Sequence, residues 1–148
     1  MKRGKISPAL SKIRATIRAA GLRSTAPRVA VLQRLQEAST PVSHADIVED
    51  LASKGFDRAT LYRNLMDLTE VGLLSRIDVG DHVWRFELRR KERGRPQGHP
   101  HFTCTDCGDV ACLPGVNVRI SPTSGVPHAV AAKQVEIQFR GLCDRCAA

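Results

Sequence analysis

The 148-residue chain lacks any apolar run near the roughly 20 residues that a bilayer-spanning helix needs, which excludes a helical membrane protein. Its basic start, Met1-Lys2-Arg3-Gly4-Lys5, is followed by no hydrophobic signal-peptide core. A convincing Ser/His/Asp set and a phosphate-cradling glycine loop are both missing, which argues against an enzyme. Internal repeats and low-complexity tracts are absent too. Acids are missing from the first 36 residues, where nine Lys and Arg precede Glu37. These absences predict a cytoplasmic protein with no membrane partner and no small-molecule substrate.

What is present is ordinary in bulk and uneven in detail. Hydrophobic residues at 42% and charged residues at 26% suit a soluble globular chain of one domain or two small ones. Small halves usually need a metal, a disulfide or a partner subunit. Five cysteines in a reducing compartment point to metal binding more than to disulfides. The net charge is +8, and Lys and Arg outnumber Asp and Glu by 19 to 11 over residues 1–95. Beyond residue 95 they are matched four to four. Such a basic half fits a polyanion-facing module or a merely solvated surface.

Helical periodicity runs from Ala9 to Ala20, with Leu10, Ile13 and Ile17 in phase and Gly21 as a stop. Thr25 stands at the cap of a second helix, Pro27 lies in its first turn, and Val29, Leu32 and Leu35 share a face. Ser43 caps a third, which carries Ile47, Val48 and Leu51 inward and runs to Gly55. Asp57 caps a fourth, with Leu61, Leu65 and Leu68 as its apolar stripe and Gly72 breaking the pattern. Alternation over Leu74–Val79 and Val83–Leu88, around Gly80-Asp81, predicts a hairpin. Helices followed by a hairpin give a winged helix-turn-helix over 1–88, in which the last helix enters the DNA major groove. Residues 89–98 are polar and contain Pro and Gly, as a hinge would. Beyond them, short strands are expected at His99–Thr103, Val110–Leu113, Asn117–Ile120 and Val135–Phe139, with no confident helix between Pro114 and Pro127. The fold class is α+β: the winged helix followed by a small α/β domain over 99–148.

Cys104-Thr-Asp-Cys107-Gly and Cys143-Asp-Arg-Cys146 are two C-x-x-C knuckles separated by 35 residues. Two such knuckles complete a closed tetrahedral thiolate shell, the arrangement of structural Zn2+. A closed shell leaves no open position for catalysis. Cys112, the fifth, reads on its own as a small buried hydrophobe.

Several stretches resemble the ferric uptake regulator family of bacterial metal-sensing repressors. They are Gly21-Leu22-Arg23-Ser24-Thr25-Ala26-Pro27-Arg28, Ala59-Thr60-Leu61-Tyr62-Arg63-Asn64-Leu65, His99-x-His101-x-x-Cys104-x-x-Cys107-Gly and Cys143-x-x-Cys146. They occur in the family's order across nearly the whole chain. The resemblance implies a homodimer, a C-terminal dimerisation domain, and both a structural and a regulatory metal site. It also places Tyr62 and Arg63 at the DNA, the operator being a palindromic duplex. From its own pattern the fourth helix shows Arg58, Thr60, Tyr62, Arg63 and Asn64 opposite its leucines, all types that read or position bases. Arg28, with Arg14, Arg18 and Arg23, suits phosphate contacts.

His99 and His101, two apart, share one face of a strand, and Cys104 takes the other. Glu87 matches the glutamate with which the family reaches toward its sensing metal, and Cys112 stands where many members carry a carboxylate ligand. Glu87, His99, His101 and Cys112 therefore form the expected regulatory site. Exposed loop histidines and a core thiol are the competing reading. His44 and His82 read as solvated, with His82 a spare ligand. Relatives' accessory site falls on Pro100, Arg119 and Val135 and is expected to be missing. Pro41 also replaces a histidine that many relatives carry. The thiolate beside two imidazoles favours zinc over iron as the second divalent metal. The sequence thus predicts a metal-dependent DNA-binding repressor of metal uptake or homeostasis genes, most simply zinc uptake. An iron- or peroxide-sensing regulator is second, and a zinc-ribbon interaction module or thiol oxidoreductase is the alternative of another class.

Overall fold

Apolar stripes on the helices of the first half converge on one core. The computed structural model describes residues 7–89 and 100–148, which fall into two compact units, Met1–Arg89 and Arg90–Ala148. The described residues hold five α-helices and two three-stranded sheets. The expected hinge lies outside the described residues, apart from Arg89.

In the first unit, helix α1 (Pro8–Ala19) buries Ile13 and Ile17, and α2 (Ala26–Glu37) buries Val29, Ala30, Val31, Leu32 and Leu35. Thr25 stands before α2, but its hydroxyl makes no capping bond. The residue contributes its carbonyl instead, which accepts from the Val29 amide at 3.0 Å. Helix α3 (His44–Asp50) opens on a reciprocal capping box. The Asp46 amide donates to Ser43 Oγ at 3.2 Å, and the Ser43 amide donates to Asp46 Oδ2 at 3.0 Å. The single helix expected as far as Gly55 is shorter. It gives way to a 3-10 turn at Ala52–Lys54, which ends where Gly55 takes φ 73°.

Helix α4 (Arg58–Glu70) starts at Asp57, whose carboxylate accepts from the Thr60 amide at 2.8 Å. It buries Leu61, Leu65 and Leu68 as its spacing requires. Strands β2 (Leu74–Asp78) and β3 (Trp84–Leu88) form the expected hairpin, with Leu74 opposite Leu88 and Asp78 opposite Trp84. A two-residue strand, β1 (Val42–Ser43), pairs with Phe86 and Arg85 on the other side of β3. Two residues are too few to show a period, so β1 left no sequence signal.

The second unit is a sheet ordered β5-β4-β6. Strand β4 (His101–Cys104) is central; β5 (Val110–Cys112) runs antiparallel to it and β6 (Gln138–Gly141) parallel. The expected last strand is displaced C-terminally, because its register sets Gly141 opposite Cys104. Asn117–Ile120 forms no strand. Its alternation names a wet and a dry face but supplies no ladder partner for its amides. A four-residue helix, α5 (His128–Ala131), follows Pro127. Among the described residues of this unit the buried apolar ones are few: Pro100, Cys104 and Val110 are buried, while Phe139 and Leu142 remain exposed.

Candidate metal centres and nucleic-acid interface

The parallel β4–β6 pairing brings the two knuckles together across 35 intervening residues. Cys104 closes β4, and its turn is tied by the Gly108 amide donating to the Cys104 carbonyl (3.1 Å) and the Cys104 amide donating to Asp109 (2.9 Å). Gly108 sits at φ 75°, a left-handed value that a Cβ would strain. The second knuckle closes with the Cys146 amide on the Cys143 carbonyl at 3.0 Å. Arg145 on that knuckle pairs with Asp109 on the first. The four sulfurs of Cys104, Cys107, Cys143 and Cys146 all lie within 4.8 Å of one another.

These sulfurs fit zinc. A tetrahedral shell with Zn–S near 2.3 Å puts sulfurs about 3.8 Å apart, and Cys107 Sγ and Cys143 Sγ are 3.8 Å apart. Backbone N–H groups of Cys107, Cys143 and Asp106 turned toward the Cys104 sulfur lower its pKa to about 6, so this thiolate is available at neutral pH. The Cys143 thiol is also lowered, chiefly by the Cys146 amide. Cys146 is pushed up, first by the Cys143 sulfur beside it. The shell is thus pre-charged on one side and must shed protons on the other when a cation enters.

A second donor pair lies on the same sheet. His101 and Cys112 are directly opposite across the β4–β5 ladder, with a ring nitrogen and Sγ within 4.8 Å. His101 is buried and Cys112 half-buried. This brings together two of the four expected regulatory ligands. Glu87 is half-buried on β3 of the first unit, opposite Ser75. His99 lies outside the described residues. His44 and His82 both fall in the first unit; His82 is exposed at the wing turn with φ 61°.

The residues of α4 expected to face DNA differ in their exposure. Arg58, Tyr62 and Arg63 are exposed, and Thr60 is half-buried with its hydroxyl donating to Asp57 Oδ2 at 2.5 Å. These bonds from Thr60 hold the Asp57 carboxyl below its usual range. Asn64 is not on that face. It is 7% exposed, and its amide donates to the Thr60 carbonyl at 2.7 Å. Position 64 is three residues after Leu61 and four before Leu68, so helical spacing puts it on the buried side.

Arg28 also departs from expectation. Its Nη2 donates to Asp67 Oδ2 on α4 at 2.6 Å and its Nη1 to the Arg23 carbonyl at 3.0 Å, with the side chain 16% exposed. It pins α2 to α4. Arg28→Ala should therefore cost about 1–2 kcal/mol of stability, between the values for exposed and buried charge pairs. Denaturant unfolding of the intact protein measures this. Weakened DNA binding at unchanged stability would return Arg28 to a phosphate-contact role.

One wing feature had no sequence signal. Trp84, 43% exposed, carries the Arg76 guanidinium 3.9 Å from its ring centre. The two residues lie eight apart and meet only because the hairpin register sets Trp84 opposite Asp78, two residues along β2 from Arg76.

The sequence profile of the ferric uptake regulator family matches residues 19–119. The transcriptional regulator FurA of Mycobacterium tuberculosis is 32% identical over 138 residues, covering 88% of this chain and 86% of FurA. Among solved structures, the Helicobacter pylori ferric uptake regulator, described as having three functional metal binding sites, overlays with a TM-score of 0.66 at 19% identity. That overlay covers 100% of this chain and 98% of the other. A zinc uptake regulator complexed with zinc and DNA overlays at 0.59 and 24% identity, covering 94% and 93%. The chain belongs to the ferric uptake regulator family. It is accordingly a metal-responsive transcriptional regulator and not an enzyme. No helix among the described residues is long and apolar enough to cross a membrane.

Proposed function

We propose that this regulator is a zinc-dependent repressor of metal uptake or homeostasis genes, acting in the cytoplasm as a homodimer on a palindromic operator. The observation that carries the choice of metal is the His101–Cys112 pair. A thiolate beside an imidazole is a soft donor set, which suits zinc better than iron. In this reading Glu87, His99, His101 and Cys112 hold the sensed cation, while Cys104, Cys107, Cys143 and Cys146 hold an architectural Zn2+. Residues 1–88 read DNA through Arg58, Thr60, Tyr62 and Arg63, residues 89–98 are the hinge, and residues 99–148 dimerise. Glu87 precedes the hinge in sequence and the other three ligands follow it. A bound divalent cation would supply a cross-link between the two sides. The exposed Phe139 and Leu142 supply apolar surface of the kind a second copy covers. Two recognition helices held at fixed spacing then match two half-sites.

An iron- or peroxide-sensing regulator is the second reading. The curated relatives include proteins named for ferric uptake, among them that of Bacillus subtilis at 31% identity over 94 residues.

Metal analysis of the purified protein, paired with DNA binding of wild type and Cys112→Ala across zinc and iron series, separates the two. The probe is a duplex selected from a random-sequence pool by the zinc-loaded protein. Cys112→Ala should keep its fold and architectural zinc. It should need at least on the order of 10–100-fold more zinc for half-maximal binding, a loss that even outer-shell partners produce. A response to iron alone, unaffected by Cys112→Ala, would overturn the zinc reading.

A further inference from the structure

We propose that His44 is the positioning residue for the DNA-reading tyrosine, a role resting on the function proposed above. Tyr62 is the chain's single tyrosine and is 42% exposed on α4. A half-exposed ring on a helix surface has several rotamers open to it, and one that reads a base must be held in one. Among the described residues the ring that meets it is the imidazole of His44, with centroids 5.3 Å apart and planes at 64°. That is the edge-on arrangement that aromatic pairs prefer. The same imidazole is itself fixed: its Nε2 donates to the Arg58 carbonyl in the first turn of α4 at 3.0 Å. One side chain thus grips the backbone of the reading helix and the flank of its exposed ring.

The base on which His44 stands is rigid. It is the first residue of α3, immediately after Ser43. Ser43 is held twice, by the capping box with Asp46 and by strand pairing of β1 with Arg85. At the other end of α4, Arg28 holds Asp67. The helix is therefore clamped along its length, and His44 is the clamp nearest the reading residues Arg58, Tyr62 and Arg63. Both interactions of the imidazole stay within the first unit.

The test uses the full-length, zinc-loaded protein and a duplex pool randomised over the binding site. His44→Ala should weaken binding to the wild-type-selected duplex roughly 3- to 10-fold, the size of one aromatic pair. It should also flatten the base preference at the positions where Tyr62→Ala flattens it, in a protein that still unfolds in one cooperative thermal transition. In a Tyr62→Ala background the same change should cost less than about twofold, since coupled residues are not additive. His44→Phe, which keeps the ring edge, should retain at least about half the affinity. Equal losses in both backgrounds, or weaker binding with base preference intact, would overturn the positioning role alone. If the wild type selects no sequence from the pool, both this role and the proposed function fall.

Discussion

Cys104→Ala should release one zinc per chain and unfold residues 100–148, while residues 7–89 stay folded. The expectation follows from how little else holds that half. Among its described residues the buried apolar ones are Pro100, Cys104 and Val110, and β6 is mostly exposed along its length. A sheet with so small a core would take its stability from an ion held by the four cysteines, as small zinc-dependent folds do. Zinc counted by a chromophoric chelator, beside strand signal in circular dichroism, reads both effects. Full zinc content with native spectra would show that three thiolates suffice and that the site is not architectural. The same site has a pH signature. The Cys104 pKa falls from the ordinary 9.0 to about 6 on folding. The stabilisation from its thiolate is therefore complete above about 9 and lost as pH drops through about 6. Zinc affinity measured by chelator competition should weaken steeply below that value, and an unchanged affinity at pH 5 would contradict it.

Tyr62→Ala and Arg63→Ala should each reduce affinity for the selected duplex by about 10- to 100-fold, the range for side chains that contact base edges. Both are exposed, so neither change should disturb the core beneath α4. The two losses should differ in kind. A residue reading a base changes sequence preference, whereas one resting on a phosphate lowers affinity for every sequence and flattens the salt dependence by about one counterion. Binding titrations at three salt concentrations separate the cases. Wild-type affinity in both variants would remove α4 as the reading helix.

How legible these features were depended on whether the signal was local. Leu61, Leu65 and Leu68 repeat at helical spacing and were found; so were the cap at Ser43 and both knuckles, whose spacing is itself the chemistry. Asn64 carries two opposed signals: its polarity suggests the exposed face, while the same spacing puts it on the buried side, where the structure has it. The partner of Arg28, Asp67, lies 39 residues away on another helix, so no local pattern announces the pair. The register of β6 and the existence of β1 depend on pairing with distant strands, which no periodicity within either segment encodes. The His101–Cys112 pair was legible only as two separate candidates; the ladder between β4 and β5 made them neighbours.

The short strand β1 has a mechanical consequence for the first half. Glu87 follows Phe86 on β3, Phe86 pairs with Val42, and Ser43 leads directly into His44 and so to Tyr62. A load on the Glu87 carboxylate therefore meets a braced frame, in which bending would break a ladder, a cap and a packed interior together. Rotation of the frame breaks none of them. If Glu87 holds the sensed cation as proposed, a pull on its carboxylate would reach Tyr62 through paired strands and a capped helix start, leaving α4 itself unremodelled.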